Sequence, residues 1–192
     1  MPRVPTHEIL PLILNRHSPR AMAGVPLPEE DLLRVLEAAR WAPSAMNHQP
    51  WRFLVARAGT PEVAQFLEFL MPFNADWCAR AGALVVVLSS TVTPDGKPYP
   101  GHAFDTGSAW MALALQASSM GLVVHPMGGI LKDKIVGDLQ VRGGGGVQCM
   151  VALGAKGAVA DLPERVRGRE APSDRRPLVE SFAVGAIPES WK

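Results

Sequence analysis

The 192-residue chain is poor in cysteine, in net charge and in unbroken apolar sequence, and each shortage removes a class of protein. Cys78 and Cys149 are its only cysteines, too few for a disulfide framework, and neither has a partner at metal-ligand spacing. The five histidines are scattered, so no metal site is expected. A net charge of +1, with 19% charged and 47% hydrophobic residues, argues against disorder and against bulk attraction to nucleic acid or an anionic membrane. Any anion must therefore be held by a local cluster. The longest apolar stretch, "SAWMALALQASSMGLVV" from Ser108 to Val124, is broken by Gln116, Ser118, Ser119 and Gly121 and is short for a membrane span. With no signal-peptide pattern at the start, the expected setting is a reducing cytoplasm.

Several reaction types are missing their signatures. There is no G-x-S-x-G elbow, no G-x-x-x-x-G-K-[ST] loop and no H-E-x-x-H pair. The glycine run Gly143 to Gly146 lacks the third glycine of a dinucleotide fingerprint and precedes a strand rather than a helix, so it reads as a flexible turn.

What is present suits one domain over residues 1–192. Pro28 and the acidic run Glu29, Glu30 and Asp31 open a helix with an apolar stripe of Leu32, Leu33, Leu36 and Ala39, which Pro43 ends. Strands are predicted at Trp51 to Ala56, Ala83 to Ser89 and Val147 to Gly154, the second being a β-branched run suited to a central position covered on both faces. A helix capped by Thr60, with Pro61 first, lies between the first two strands. The connection Thr93 to Gly101 precedes a long helix from about Asp105 to Met120, apolar on most sides and so requiring protein around it, which favours a dimer. "HPMGGI" reads as a sharp turn, followed by a short helix in "LKDKIVGDL". The tail 156–192 has little apolar periodicity and is expected on a surface, packed on a partner subunit.

Four polar clusters lie in predicted loops: "RHSPR" (Arg16 to Arg20), "PSAMNHQPW" (Pro43 to Trp51), "HPMGG" (His125 to Gly129) and "DRRP" (Asp174 to Pro177). Each alone also fits a plain surface turn. Taken in order, with "FNADWCARAGALVVVL" and "FDTGSAWMALALQASSMGLVV" between them, they resemble the nitroreductase family of FMN-dependent oxidoreductases over roughly Arg16 to Leu178. The P-S-x-x-N-x-Q-P-W stretch is the most specific element.

That resemblance implies an α+β sandwich, with a mostly antiparallel sheet flanked by helices, in an intertwined homodimer that binds one FMN in each of two interfacial pockets. It assigns Arg16, His17, Ser18 and Arg20 from one chain, and Pro43, Ser44 and Asn47 from the other, to the cofactor. Arg16 and Arg175 would grip the phosphate as guanidinium forks, with Ser18 donating its hydroxyl and His17 beside it. Arg20 and Asn74 would face the flavin's pyrimidine edge, and Pro126, Met127, Gly128 and Gly129 would lie against its reactive face, the glycines allowing close approach and unusual dihedrals. No catalytic side chain is assigned. The implied activity moves two electrons from NADH or NADPH through flavin to nitroaromatics, quinones or similar flat acceptors in a ping-pong cycle. The alternatives are a specialised same-fold flavoenzyme (dehalogenase, azoline oxidase or flavin-fragmenting) and a non-catalytic flavin-binding protein.

Three departures from the family pattern stand out. Ser173 replaces a lysine common two residues before the C-terminal arginine, which leaves Arg175 or Arg176 as the phosphate ligand; Gly128 replaces a larger, often acidic residue; and Thr93 to Gly101 is short. The short connection predicts an open pocket. Trp41, Phe73 and Trp77 could wall it, although burial preference places all three in the core.

Overall fold

A computed structural model describes residues 3–141 and 145–191. Its sheet has four strands, β1 (Trp51–Arg57), β2 (Ala83–Ser90), β3 (Val123–Met127) and β4 (Gly145–Gly154), in the order β1-β2-β4-β3. All three pairings are antiparallel. Helices α1 (Pro11–Asn15), α2 (Glu29–Arg40), α3 (Glu62–Glu68), α4 (Pro72–Cys78), α5 (His102–Ser119), α6 (Lys132–Asp138) and α7 (Glu164–Arg167) surround it.

Strand β2 shows why the layers stack as they do. Its side chains alternate, so Ala83, Val85 and Val87 join Leu32 and Val35 of α2 and Leu113 of α5 in one core. Leu84 and Val86 join Phe66, Trp77, Ile135 and Val166, from α3, α4, α6 and α7, in the other. Covered on both faces, the run needs no polar alternation, and each buried aliphatic side chain contributes about 1.5–3 kcal/mol. The α+β sandwich expected from the sequence is the observed fold.

Several local expectations are corrected. "HPM" is not a turn: His125, Pro126 and Met127 complete β3, opposite Ala152, Val151 and Met150 of β4. Because β3 is an edge strand of this sheet, proline's missing N–H costs no ladder bond there. In α2 the buried stripe is Leu32, Val35 and Ala39, while Leu33 is exposed. Pro61, rather than Thr60, directly precedes α3. Helix α5 starts three residues before Asp105. Gly145 and Gly146 belong to β4, whereas Gly143 and Gly144 lie outside the described residues. The tail anchors itself through Leu162 and Val166, which are buried, before running exposed from Ala171 to Ile187. No helix among the described residues is long and apolar enough to cross a membrane.

Candidate functional site

After α1, the chain passes through Arg16, His17, Ser18 and Arg20 as an extended segment beside β3, where the ring Nδ1 of His125 lies 3.1 Å from the Pro19 carbonyl oxygen. Main-chain bonds do not fix this segment by themselves. Glu170, which follows α7, accepts the Arg20 N–H at 2.9 and 3.0 Å and the Ala21 N–H at 3.0 Å, and it lies 3.8 Å from the Arg20 guanidinium. Arg3 donates to the carbonyls of Leu14 and Arg16, both at 2.8 Å, and to that of Ser173 at 2.9 Å. Two residues remote in sequence therefore clamp one loop.

Beside this clamp lies a cavity of about 280 Å³ whose lining includes Arg3, Arg16, Ser18, Arg20, Arg169 and Arg175. Glu170 is the carboxylate engaged with this cluster, and it is committed to Arg20. Burial first, then the nearby charges of Arg175 and Arg3, hold the Arg16 guanidinium below its ordinary pKa. The Arg16 guanidinium donates to the Ser18 hydroxyl at 3.3 Å. Arg20 has a buried Nε with no hydrogen-bond partner among the described residues, and its guanidinium lies 5.7 Å from the centre of the Trp77 ring. Arg175 lines the cavity, while Arg176 is exposed and faces Glu180 at 3.9 Å. Sequence reasoning missed Arg3, Arg169 and Glu170. None carried a local motif.

His125 also lines this cavity, with its ring 4.8 Å from that of Trp77. Burial first, and then the Arg20 charge, hold its pKa below the ordinary imidazole value. The folded state thus disfavours the proton that the unfolded chain accepts below about pH 6.5. Stability should fall as pH drops through 6.5 toward the lower folded value. Thermal melts between pH 7.5 and 5 should show this slope in the native protein and a shallower one in His125→Gln.

Asn74, on α4, donates its amide to the Gly129 carbonyl at 3.1 Å, and a Cβ on Gly129 would lie 2.7 Å from that amide nitrogen. Nothing lies within 4 Å of a Cβ placed on Gly128. Neither glycine has a positive φ, so close approach, rather than an unusual dihedral, is what this site uses. The Met127 side chain is buried, with its sulfur 3.2 Å from Cys78 Sγ. Trp77 is fully buried, as expected. Trp41 and Phe73 are not: Trp41 is 75% exposed and bonded to Glu37, and Phe73 lies beneath the guanidiniums of Arg165 and Arg169.

The second predicted half of the site lies elsewhere. Pro43 and Asn47 are exposed and Ser44 is half-buried, on the loop that enters β1. Here Met46, Asn47 and Gln49 take left-handed φ values of 51°, 55° and 49°, at a cost of about 1–2 kcal/mol for Met46 and Gln49 and less for Asn47, whose side chain tolerates that region. The Ser44 hydroxyl accepts the Gln49 N–H at 3.0 Å, which leaves its own proton free to donate. β1 and β3 are opposite edges of the sheet, separated by roughly 14 Å at ordinary strand spacing. One chain does not bring the arginine cavity and this loop together.

Fold and site define an α+β domain with a guanidinium-lined cavity at one sheet edge and a polar loop with three left-handed residues at the other. A profile of the nitroreductase family matches residues 13–155. The chain belongs to the nitroreductase family. An Archaeoglobus fulgidus protein named "Putative NADH dehydrogenase/NAD(P)H nitroreductase" is 44% identical over 115 residues, covering 60% of this chain and 64% of the relative. A solved structure described as "the oxidoreductase containing FMN" is 43% identical, covers 97% of this chain and 96% of its own, and superimposes with a TM-score of 0.92. A nitroreductase family protein from Clostridium difficile 630, 22% identical over 94% of this chain and all of its own, shares the fold with a TM-score of 0.71. The curated relatives are matched over less than two thirds of their length, for instance 64% and 44%.

Proposed function

We propose that the chain is an FMN-dependent oxidoreductase, working as a homodimer, that takes two electrons from NADH or NADPH and passes them to nitroaromatics, quinones or related flat acceptors in alternating half-reactions. The observation that carries this reading is the arginine cavity. A phosphate monoester has close to two negative charges, and here guanidiniums that repel one another surround a serine hydroxyl and a buried, unpartnered Arg20 Nε. The residues present fit the phosphate end of FMN. Arg16 and Arg175 would hold that phosphate, with Ser18 donating and His17 at the rim.

Bound FMN supplies the redox chemistry, accepting a hydride equivalent from the nicotinamide and releasing two electrons to the acceptor. The chain's residues supply the setting. Arg20, fixed by Glu170 and by Trp77, would place a positive charge at the flavin's pyrimidine edge, where negative charge grows on reduction. Asn74 would approach the same edge while holding the Gly129 carbonyl. Gly128 and Gly129, following Pro126 and Met127, would leave the main chain bare toward the ring.

The homodimer is part of the proposal. Ser44 and Asn47 reach an arginine cavity only from a second chain, and the exposed tail carries Val179, Phe182, Val184 and Ile187, each more than half exposed in one protomer. Phe104, at 82% exposure on α5, adds to the unpartnered apolar surface. The tail 156–192 would pack on the partner. Two free thiols suit a cytoplasmic setting.

Purified protein should be yellow and carry close to one FMN per chain. Anaerobic NADH or NADPH should bleach it, and a quinone or nitroaromatic should restore the colour. Colourless protein that cannot be reconstituted with FMN overturns the reading, and flavin that neither nicotinamide reduces points instead to a non-catalytic carrier.

A further inference from the structure

We propose that Asp105 and Tyr99 are positioning residues that hold the Ser44–Asn47 loop in the conformation that meets the cofactor, a proposal that rests on the flavin reading above. The loop carries three left-handed residues, of which Met46 and Gln49 are strained there, so the shape needs support from other contacts. Its internal bonds close it on itself: Asn47 N–H donates to the Ser44 carbonyl at 3.0 Å, His48 N–H to that of Ala45 at 3.0 Å, and the Gln49 side chain to that of Asn47 at 3.2 Å. None of these ties it to the body of the protein.

Two contacts do. The Ala45 N–H donates to Asp105 Oδ2 at 3.0 Å, and the His48 ring meets the Tyr99 ring edge-on, with centroids 5.0 Å apart. The Tyr99 hydroxyl donates to the same Asp105 oxygen, so both contacts converge on one pair. Asp105 and Tyr99 are 6% and 8% exposed. Asp105 rides on the first turn of α5, and Tyr99 comes from the Thr93 to Gly101 connection, where its N–H donates to the Thr91 carbonyl at 2.8 Å. Gly101 admits the ring, since a Cβ there would lie 3.1 Å from Tyr99 Cε2. The short connection thus has a task. Through Tyr99 it braces His48, just after Asn47, while Asp105 on α5 holds Ala45, just after Ser44, so the two residues that the cofactor would touch are flanked by these contacts.

The test is FMN titration of apoprotein, followed by flavin fluorescence at a temperature where every variant is folded, alongside hydrogen exchange at the Ala45 amide. Asp105→Ala should weaken FMN binding about ten-fold or more and Tyr99→Phe about three- to ten-fold, with Ala45 exchange accelerated and β2 protection unchanged. Asp105→Asn keeps an oxygen acceptor and should recover most of the affinity. If Asp105→Ala does not fold, Tyr99→Phe carries the test. Variants that bind FMN as the native protein does, or that keep Ala45 protected, overturn this proposal alone. Native apoprotein that takes up no FMN overturns the flavin reading and this proposal with it.

Discussion

Replacing Arg16 by alanine should weaken FMN binding about ten- to 150-fold, the equivalent of losing a charge-assisted contact worth about 1.5–3 kcal/mol. The same change should leave the cofactor-free protein as stable as before, or more so. These opposite signs follow from one observation. Burial first, and then the charges of Arg175 and Arg3, disfavour the Arg16 cation in the folded chain, and a bound phosphate would relieve the part that comes from those charges. A structural arginine would behave otherwise, its loss costing stability in the apoprotein. Melting curves with and without FMN, with a fluorescence titration, separate the two. Equal FMN affinity in native protein and variant would remove Arg16 from the phosphate site.

The largest stability loss is expected from Glu170→Ala. That carboxylate accepts two main-chain N–H groups and pairs with Arg20, and its side chain is only 11% exposed. Removing it leaves half-buried donors without a partner and a guanidinium among other cations. With discount for the remaining exposure, the cost is about 2–4 kcal/mol. For a chain of this size the melting temperature should fall by roughly 5–15 °C. Glu170→Gln, which keeps an oxygen acceptor but not the charge, should recover part of the loss. A melting temperature within about 1 °C of the native value in Glu170→Ala would show that the clamp does not hold the Arg16 to Arg20 segment.

Periodic features were the most legible from sequence. The Ala83 to Ser89 run and the long apolar helix were recognisable because burial on two faces leaves an unbroken hydrophobic signature. Pro126 misled because proline punctuation cannot distinguish a turn from an edge strand that tolerates a missing N–H. The polar clusters were visible as composition, and the structure brings Arg16, Ser18, Arg20 and Arg175 to one cavity. Glu170 was out of reach: it bonds residues 149 and 150 positions away, and nothing near it in sequence signals that role. Asp105 was equally silent, since a carboxylate at the start of a helix already has a reason to be there in the helix dipole.

The segment that the family profile matches ends at residue 155 and begins at 13. Arg3, Arg169 and Arg175, which line the cavity, and Glu170, which pairs with Arg20, all fall outside it. The segments flanking the matched region, stitched together by the Arg3 to Ser173 bond, thus set a collar of charge around the cavity. Substitutions of its arginines, unlike that of Glu170, would change the charge facing the cavity without touching the packed layers beneath.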